Sequence, residues 1–139
     1  MRDQIKSFFL VQEGEIKMVN SVVIICEESP FGKDSVVEAF RMATGLLAVG
    51  DIDDVKIILL KDAIYFLNKR LDPEAINTDS FTNIMRLIDF SEIEIYLHRD
   101  ALSAAGLEPI DLNVKINVKI VDLKQISQLI LGADMTFKY

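Results

Sequence analysis

Chemistry in this chain would have to come from few side chains, because its 139 residues include one cysteine, Cys26, and one histidine, His98. A thiol is a nucleophile and a sulfur carrier only as the thiolate, and the neighbouring Glu27 and Glu28 raise the pKa of Cys26 and blunt it. Cysteine is also among the most buried residue types, so Cys26 reads equally as a small core hydrophobe. His98 carries the chain's only imidazole, a group able to move protons near neutral pH, and Arg99 and Asp100 beside it would tune its charge. The bland reading of His98-Arg99-Asp100 is a solvated turn. The third group is Ser29-Pro30-Phe31-Gly32-Lys33-Asp34-Ser35, where backbone N–H groups at a helix start and the Lys33 ammonium could hold a small anion. The same residues make an ordinary turn, with Pro30 fixing φ, Gly32 admitting φ > 0, and Asp34 or Ser35 capping the helix. A phosphate-binding loop is a poor match. Its first glycine would fall at Glu27, the residue after Lys33 is Asp34 rather than a hydroxyl, and Glu27, Glu28 and Asp34 would repel a triphosphate.

Other chemistries are excluded more simply. One Cys and one His cannot build a zinc or iron–sulfur centre, no spaced Asp array suggests a hard-cation site, and no cofactor is expected. Asp51, Asp53 and Asp54 precede a strand, at the end opposite to where α/β ligands gather, and read as a solvated turn. No Ser/His/Asp set and no glycine-rich dinucleotide fingerprint is present. A net charge of −7 without any Lys/Arg cluster argues against nucleic acid and anionic membrane as partners. No apolar stretch is long enough to cross a bilayer, and Phe8-Phe9-Leu10-Val11 is too short for a signal-peptide core, so the expected location is the cytoplasm.

The elements that must position these residues alternate. Val22–Cys26 is a continuous apolar run expected as a buried strand, and Val36, Phe40, Ala43 and Leu47 form the apolar face of a helix that Gly50 stops. Val55–Leu60 predicts a second buried strand, Asp62–Leu67 a short helix, and Pro73 a loop. Thr78, Asp79 and Ser80 are caps for a helix carrying Phe81, Ile84, Met85 and Ile88. Ile93, Ile95 and Leu97 alternate with Glu92, Glu94 and Tyr96, which predicts a strand with one buried face and one facing solvent or a partner, with His98 at its carboxyl end. Ala101–Ala105 is a short helix stopped by Gly106. Val114, Ile116, Val118 and Ile120 alternate with Lys115, Asn117 and Lys119 as a fourth strand. Asp122 and Gln125 form a capping box for a helix burying Leu123, Ile126 and Leu129, and Met135–Tyr139 makes a last strand. This order predicts an α/β fold, a flavodoxin-like three-layer sandwich with a mainly parallel sheet of about five strands.

Residues 1–17 fit this pattern poorly. Ile5, Phe8 and Phe9 could form a small helical face, Met18 stands directly before the first strand, and Glu13-Gly14-Glu15 can be encoded by a purine-rich ribosome-binding sequence. The expectation is an N-terminal extension, 1–17, ahead of a single domain, 18–139. The intact mass of the protein from its native cell reads this directly.

Four segments in order carry a resemblance. Ser29-Pro30-Phe31-Gly32, followed by the Ala/Leu-bearing helix to Val49, is similar to the Pro-Tyr-Gly opening of the DsrF/TusC branch of the DsrE/DsrF-like sulfur-relay family. Ile57 to Leu67 resembles that branch's second strand and Gly-Val-Tyr-X-Leu helix. Glu94 to Leu107 resembles its third strand and Leu-X-X-X-Gly-Leu helix, and Ala133-Asp134-Met135-Thr136-Phe137 its terminal strand. The likeness spans about residues 20–139. It implies the α/β fold above and assembly as homo- or hetero-oligomers with DsrE-like subunits, alongside a sulfur-carrier protein. In the thiol-bearing members it implies carriage of a cysteine persulfide during tRNA thiolation or sulfur oxidation. Counting back from Gly106, the relay cysteine of those members falls at His98, and an imidazole holds no stable persulfide.

Three functions follow as expectations. The first is a non-carrier, structural or partner-binding subunit of a sulfur-relay assembly, with Tyr96, His98 and Arg99 near the shared cleft. The second is a sulfurtransferase using Cys26. The third is a small-molecule or anion-binding domain using Pro30 to Ser35 and His98, with Ser29 beside them.

Overall fold

The computed structural model describes residues 9–12, 15–30, 34–50, 52–68, 86, 88, 91, 93–112 and 117–139. Among the described residues from Ser21 onward, the expected apolar runs form strands and the expected helical patterns form helices in chain order. The chain runs β1 (Phe9–Gln12), β2 (Glu15–Met18), β3 (Ser21–Cys26), α1 (Ser35–Val49), β4 (Asp54–Leu59), a 3₁₀ helix (Lys61–Leu67) and β5 (Glu94–His98). It continues through α2 (Arg99–Ala104), a short 3₁₀ turn (Pro109–Asp111), β6 (Val118–Val121), α3 (Leu123–Gly132) and β7 (Met135–Lys138). Strands β3 to β7 form one sheet in the order β6-β5-β4-β3-β7, and every pairing in it is parallel.

Parallel strands must be covered on both faces, and the core divides accordingly. On one face Val22, Ile24 and Cys26 of β3, Val55, Ile57 and Leu59 of β4, and Ile95 and Leu97 of β5 pack with Val36, Val37, Phe40 and Ala43 of α1 and with Ala63, Ile64, Phe66 and Leu67. The rings of Phe40 and Phe66 stack at 5.1 Å between centroids, which pins α1 to the 3₁₀ helix. On the other face Val23, Ile58, Tyr96 and Val121 pack against Ile126 of α3. Gly50 (φ 81) and Gly106 (φ 72) take the left-handed conformation that ends α1 and α2. The capping box also forms: Asp122 accepts from the Gln125 N–H at 2.8 Å, and Gln125 accepts from the Asp122 N–H at 3.0 Å.

Several expectations need correction. Tyr96 does not face solvent; it is 7% exposed, because α3 lies over this face of β5 and an aromatic ring gains from the cover. Leu123 is 62% exposed rather than buried, because α3 turns Ile126 inward and leaves the first-turn leucine on its flank. The short helix after β4 is 3₁₀ and starts at Lys61. Asp34 is the N-cap of α1 but its side chain makes no cap hydrogen bond; the Ser35 hydroxyl instead donates to Glu28 at 2.7 Å. Phe9 lies in a strand, not on a helical face, and Met18 ends a strand of its own, β2, shortly before β3. The β1–β2 pair is antiparallel, with Gln12 opposite Glu15. Ile5, Phe8, Pro73, the Thr78–Ser80 caps, Phe81, Ile84, Met85, Val114 and Ile116 fall outside the described residues, as do the site candidates Phe31, Gly32 and Lys33.

Candidate functional site

The carboxyl ends of the parallel strands carry the candidate residues. Cys26 ends β3 opposite Leu59 of β4, Leu59 pairs with Leu97 of β5, and His98 lies one residue further on, paired with Val121 of β6. Alternation therefore puts Cys26 and His98 on opposite faces of the sheet and two strands apart, roughly 10 Å at ordinary strand spacing. The chain's only thiol and only imidazole belong to different places.

His98 occupies the better place. The helix after β5, α2, packs Leu102 into the main core, whereas the helix after β6, α3, packs Ile126 into the second core. Helices following two adjacent strands thus leave to opposite faces, and ligands of α/β folds gather outside the carboxyl ends of strands at such a switch point. The His98 side chain is 18% exposed there, with Nε2 3.9 Å from the Asp100 carboxylate. Arg99 follows in the first turn of α2 and is exposed. Tyr96 shares the strand face with His98, but its hydroxyl donates to Glu94 at 2.9 Å, toward the amino end of the strand. Burial, then the Glu94 carboxylate, push the phenol up to about 12, so it stays a neutral donor. Lys119 stands 5.6 Å from its ring centroid.

Cys26 is 0% exposed, and burial pushes its thiol up to about 12. The cause is loss of solvation, not the acidic neighbours. Glu27 turns away to Lys138 (3.2 Å) and Lys61 (3.4 Å), and although burial works to raise its carboxyl, these ammonium groups hold it below the usual range. A raised thiol pKa links stability to pH. The unfolded thiol loses its proton from about pH 9.0, the folded one only near 12, so the benefit is complete below 9.0 and lost as pH rises toward 12. Between these limits the unfolding free energy of the wild type should fall more steeply than that of Cys26→Ala. Parallel slopes in urea titrations across this window would contradict the assignment.

At the start of α1, the Glu28 carboxylate lies 2.7 Å from the first helical residue's hydroxyl. The chain's own negative charge thus stands where an anion would approach. Ser29 and Pro30 lead into this turn, on the carboxyl side of β3. Sequence reasoning did not single out Lys61, which takes φ 49 at the carboxyl end of the central strand β4, a strained conformation for a non-glycine residue. With Asp62, Tyr65, Ala101, Ala104 and Ala105 it lines a notch of about 100 Å³. No residue pattern signals positive φ at a lysine. At the amino end of the sheet a cavity of about 140 Å³ borders Lys56, whose ammonium is paired with Asp54 and lies 3.9 Å from Glu94. Among the described residues no three potential metal ligands cluster, and no helix is long and apolar enough to cross a membrane.

An all-parallel five-stranded sheet with helices on both faces defines the flavodoxin-like class of α/β proteins. Within that class the chain belongs to the DsrE/DsrF-like family, whose pattern it matches over residues 20–139. It is 26% identical over 137 aligned positions to the intracellular sulfur oxidation protein DsrF of Allochromatium vinosum, an alignment covering 88% of this chain and 98% of that protein. Its fold is similar to the crystal structure of the ychN protein from E. coli (TM-score 0.68, 18% identity, 86% of this chain and 99% of that one). It is similar also to the MTH1491 protein from Methanobacterium thermoautotrophicum (TM-score 0.57, 16% identity, 86% and 97%).

Proposed function

We propose that this chain is a non-carrier subunit of a sulfur-relay assembly of the DsrE/DsrF type, one that binds thiol-bearing subunits without itself holding persulfide sulfur. The observation that carries this is the state of its single thiol: Cys26 is fully buried, and its pKa is pushed to about 12. Sulfur transfer begins when a thiolate attacks the terminal sulfur of a donor persulfide; a new S–S bond forms and the donor leaves as a thiolate. A thiol that is neither ionised nor reachable cannot take that step. At the carboxyl end of β5, where the family resemblance puts the relay cysteine, stands His98, which offers a nitrogen and no sulfur. The His98–Arg99 end of β5 is then a surface that a carrier subunit meets. The DsrF relative, described as an intracellular sulfur oxidation protein, supports the process and an intracellular, cytoplasmic setting; service in tRNA thiolation is the other process the family resemblance offers. Anion binding at the α1 start is the weaker reading because Glu28 already occupies its approach. Intact mass after exposure to a persulfide donor tests the proposal, with no sulfur adduct expected.

A further inference from the structure

The amino end of the sheet, opposite the His98 end, holds a cavity that sulfur relay does not use. It measures about 140 Å³ and lies between α3 and the first residues of β3 and β4. Strand alternation puts Ser21, Val23, Asp54 and Lys56 on one face of the sheet, the face that α3 covers. Val23 gives the cavity an apolar floor, and Leu129, Gly132 and Ala133 form its wall at the carboxyl end of α3. Gly132 brings no side chain, and a Cβ there would meet no heavy atom within 4 Å.

Both signs of charge border this apolar space. The Lys56 side chain is 20% exposed, and its ammonium is paired with Asp54 Oδ1. Glu94 stands 3.9 Å from the same ammonium and accepts from the Tyr96 hydroxyl at 2.9 Å. An ammonium has three donors and a carboxylate two acceptor oxygens, so among the described residues Lys56 keeps N–H groups and Asp54 keeps Oδ2 for a ligand. The carbonyl end of α3 adds partial negative charge, and no basic residue in its last turn offsets it. A simple anion entering here meets Asp54, Glu94 and the helix end, and a simple cation meets Lys56. A molecule carrying both charges close together avoids both repulsions. We infer that the cavity binds a small zwitterion, a free α-amino acid with a short apolar side chain. Its carboxylate accepts from Lys56, its ammonium donates to Asp54 Oδ2 and the end of α3, and its side chain lies on Val23 and Leu129. Size restricts the choice: an engineered apolar cavity of about 150 Å³ holds one benzene ring, so a valine side chain fits and an indole does not. Asp54 is half-exposed, which screens its charge and holds the affinity in the millimolar range.

The test is a titration of the full chain with L-valine, read by backbone amide shifts in two-dimensional NMR. Saturable shifts should cluster at residues 21–23 and 128–133 and leave residues 98–101 unmoved. Valinamide, which lacks the carboxylate, and isovalerate, which lacks the ammonium, should each bind about tenfold more weakly or worse. Lys56→Met should exchange the preference, losing L-valine and gaining valinamide by a similar factor, because Asp54 and Glu94 then face the cavity without their cation. Asp54→Asn, which keeps the ammonium, should lose L-valine and retain isovalerate; it carries the comparison if Lys56→Met lowers the urea midpoint. No saturable shift with L-valine, isovalerate binding as tightly as L-valine, or unchanged preferences in both variants would overturn the inference. Sulfur loading is unaffected by any of these results, so this inference and the non-carrier reading fail separately.

Discussion

Placing a cysteine at position 98 in a Cys26→Ala background converts this chain into a persulfide acceptor. The wild-type side chain there is 18% exposed at the carboxyl end of β5, whereas Cys26 has no accessible surface. An ordinary thiol of pKa about 8.5 is roughly one quarter thiolate at pH 8. A thiol at about 12 is ionised there to about one part in ten thousand. The start of α2 and Arg99 pull the new thiol toward thiolate, and Asp100 pushes back, so an ordinary pKa is a fair expectation. The loading rate with a persulfide donor, followed by intact mass, should therefore rise by roughly three orders of magnitude over a variant that keeps Cys26 and His98. If His98→Cys reacts readily with a small alkylating agent yet takes no sulfur, position 98 is exposed but is not a relay position.

The largest loss of stability should come from Phe40→Ala. Phe40 and Phe66 are both fully buried and stacked, and together they join α1 to the 3₁₀ helix that follows the central strand. Removing one ring leaves a cavity that rigid neighbours fill only in part, at about 3–5 kcal/mol. A domain of this size has about 5–15 kcal/mol in total, so the variant should unfold at a much lower urea midpoint with an unchanged slope. Phe40→Leu, which refills most of the volume, should lose much less. A loss below about 1 kcal/mol for the alanine variant would mean that α1 is not anchored through this pair.

The sheet was legible because its strands are buried on both faces and read as apolar runs: Val22–Cys26 and Val55–Leu60 leave little choice of period. The capping box and the two helix-ending glycines were legible because they are local chemistry. What failed depended on neighbours. Tyr96 alternates with apolar residues as a solvent-facing position would, and only the passage of α3 over β5 buries it. Leu123 belongs to the apolar pattern of its helix, yet the rotation of α3 about Ile126 leaves it outside. The β1–β2 pair was hidden because Phe8 and Phe9 together suggested a helical face, and strand pairing is not encoded by adjacent residues. For the site, the position of His98 at a strand's carboxyl end was readable. Its separation from Cys26, by two strands and by sheet face, needs strand order and register, which adjacent residues do not encode. Burial, the actual cause of the inert thiol, likewise comes from α1 and the sheet together.

The non-carrier assignment meets its most direct test in one mass measurement. Wild type and Cys26→Ala are exposed to a persulfide donor under conditions that load a thiol-bearing member of the family, and intact masses are compared. Neither chain should gain sulfur, since the only thiol has 0% exposure and a pKa of about 12. A sulfur adduct on the wild type that is absent from Cys26→Ala would contradict the account and make this chain a carrier with its thiol on the opposite face of the sheet.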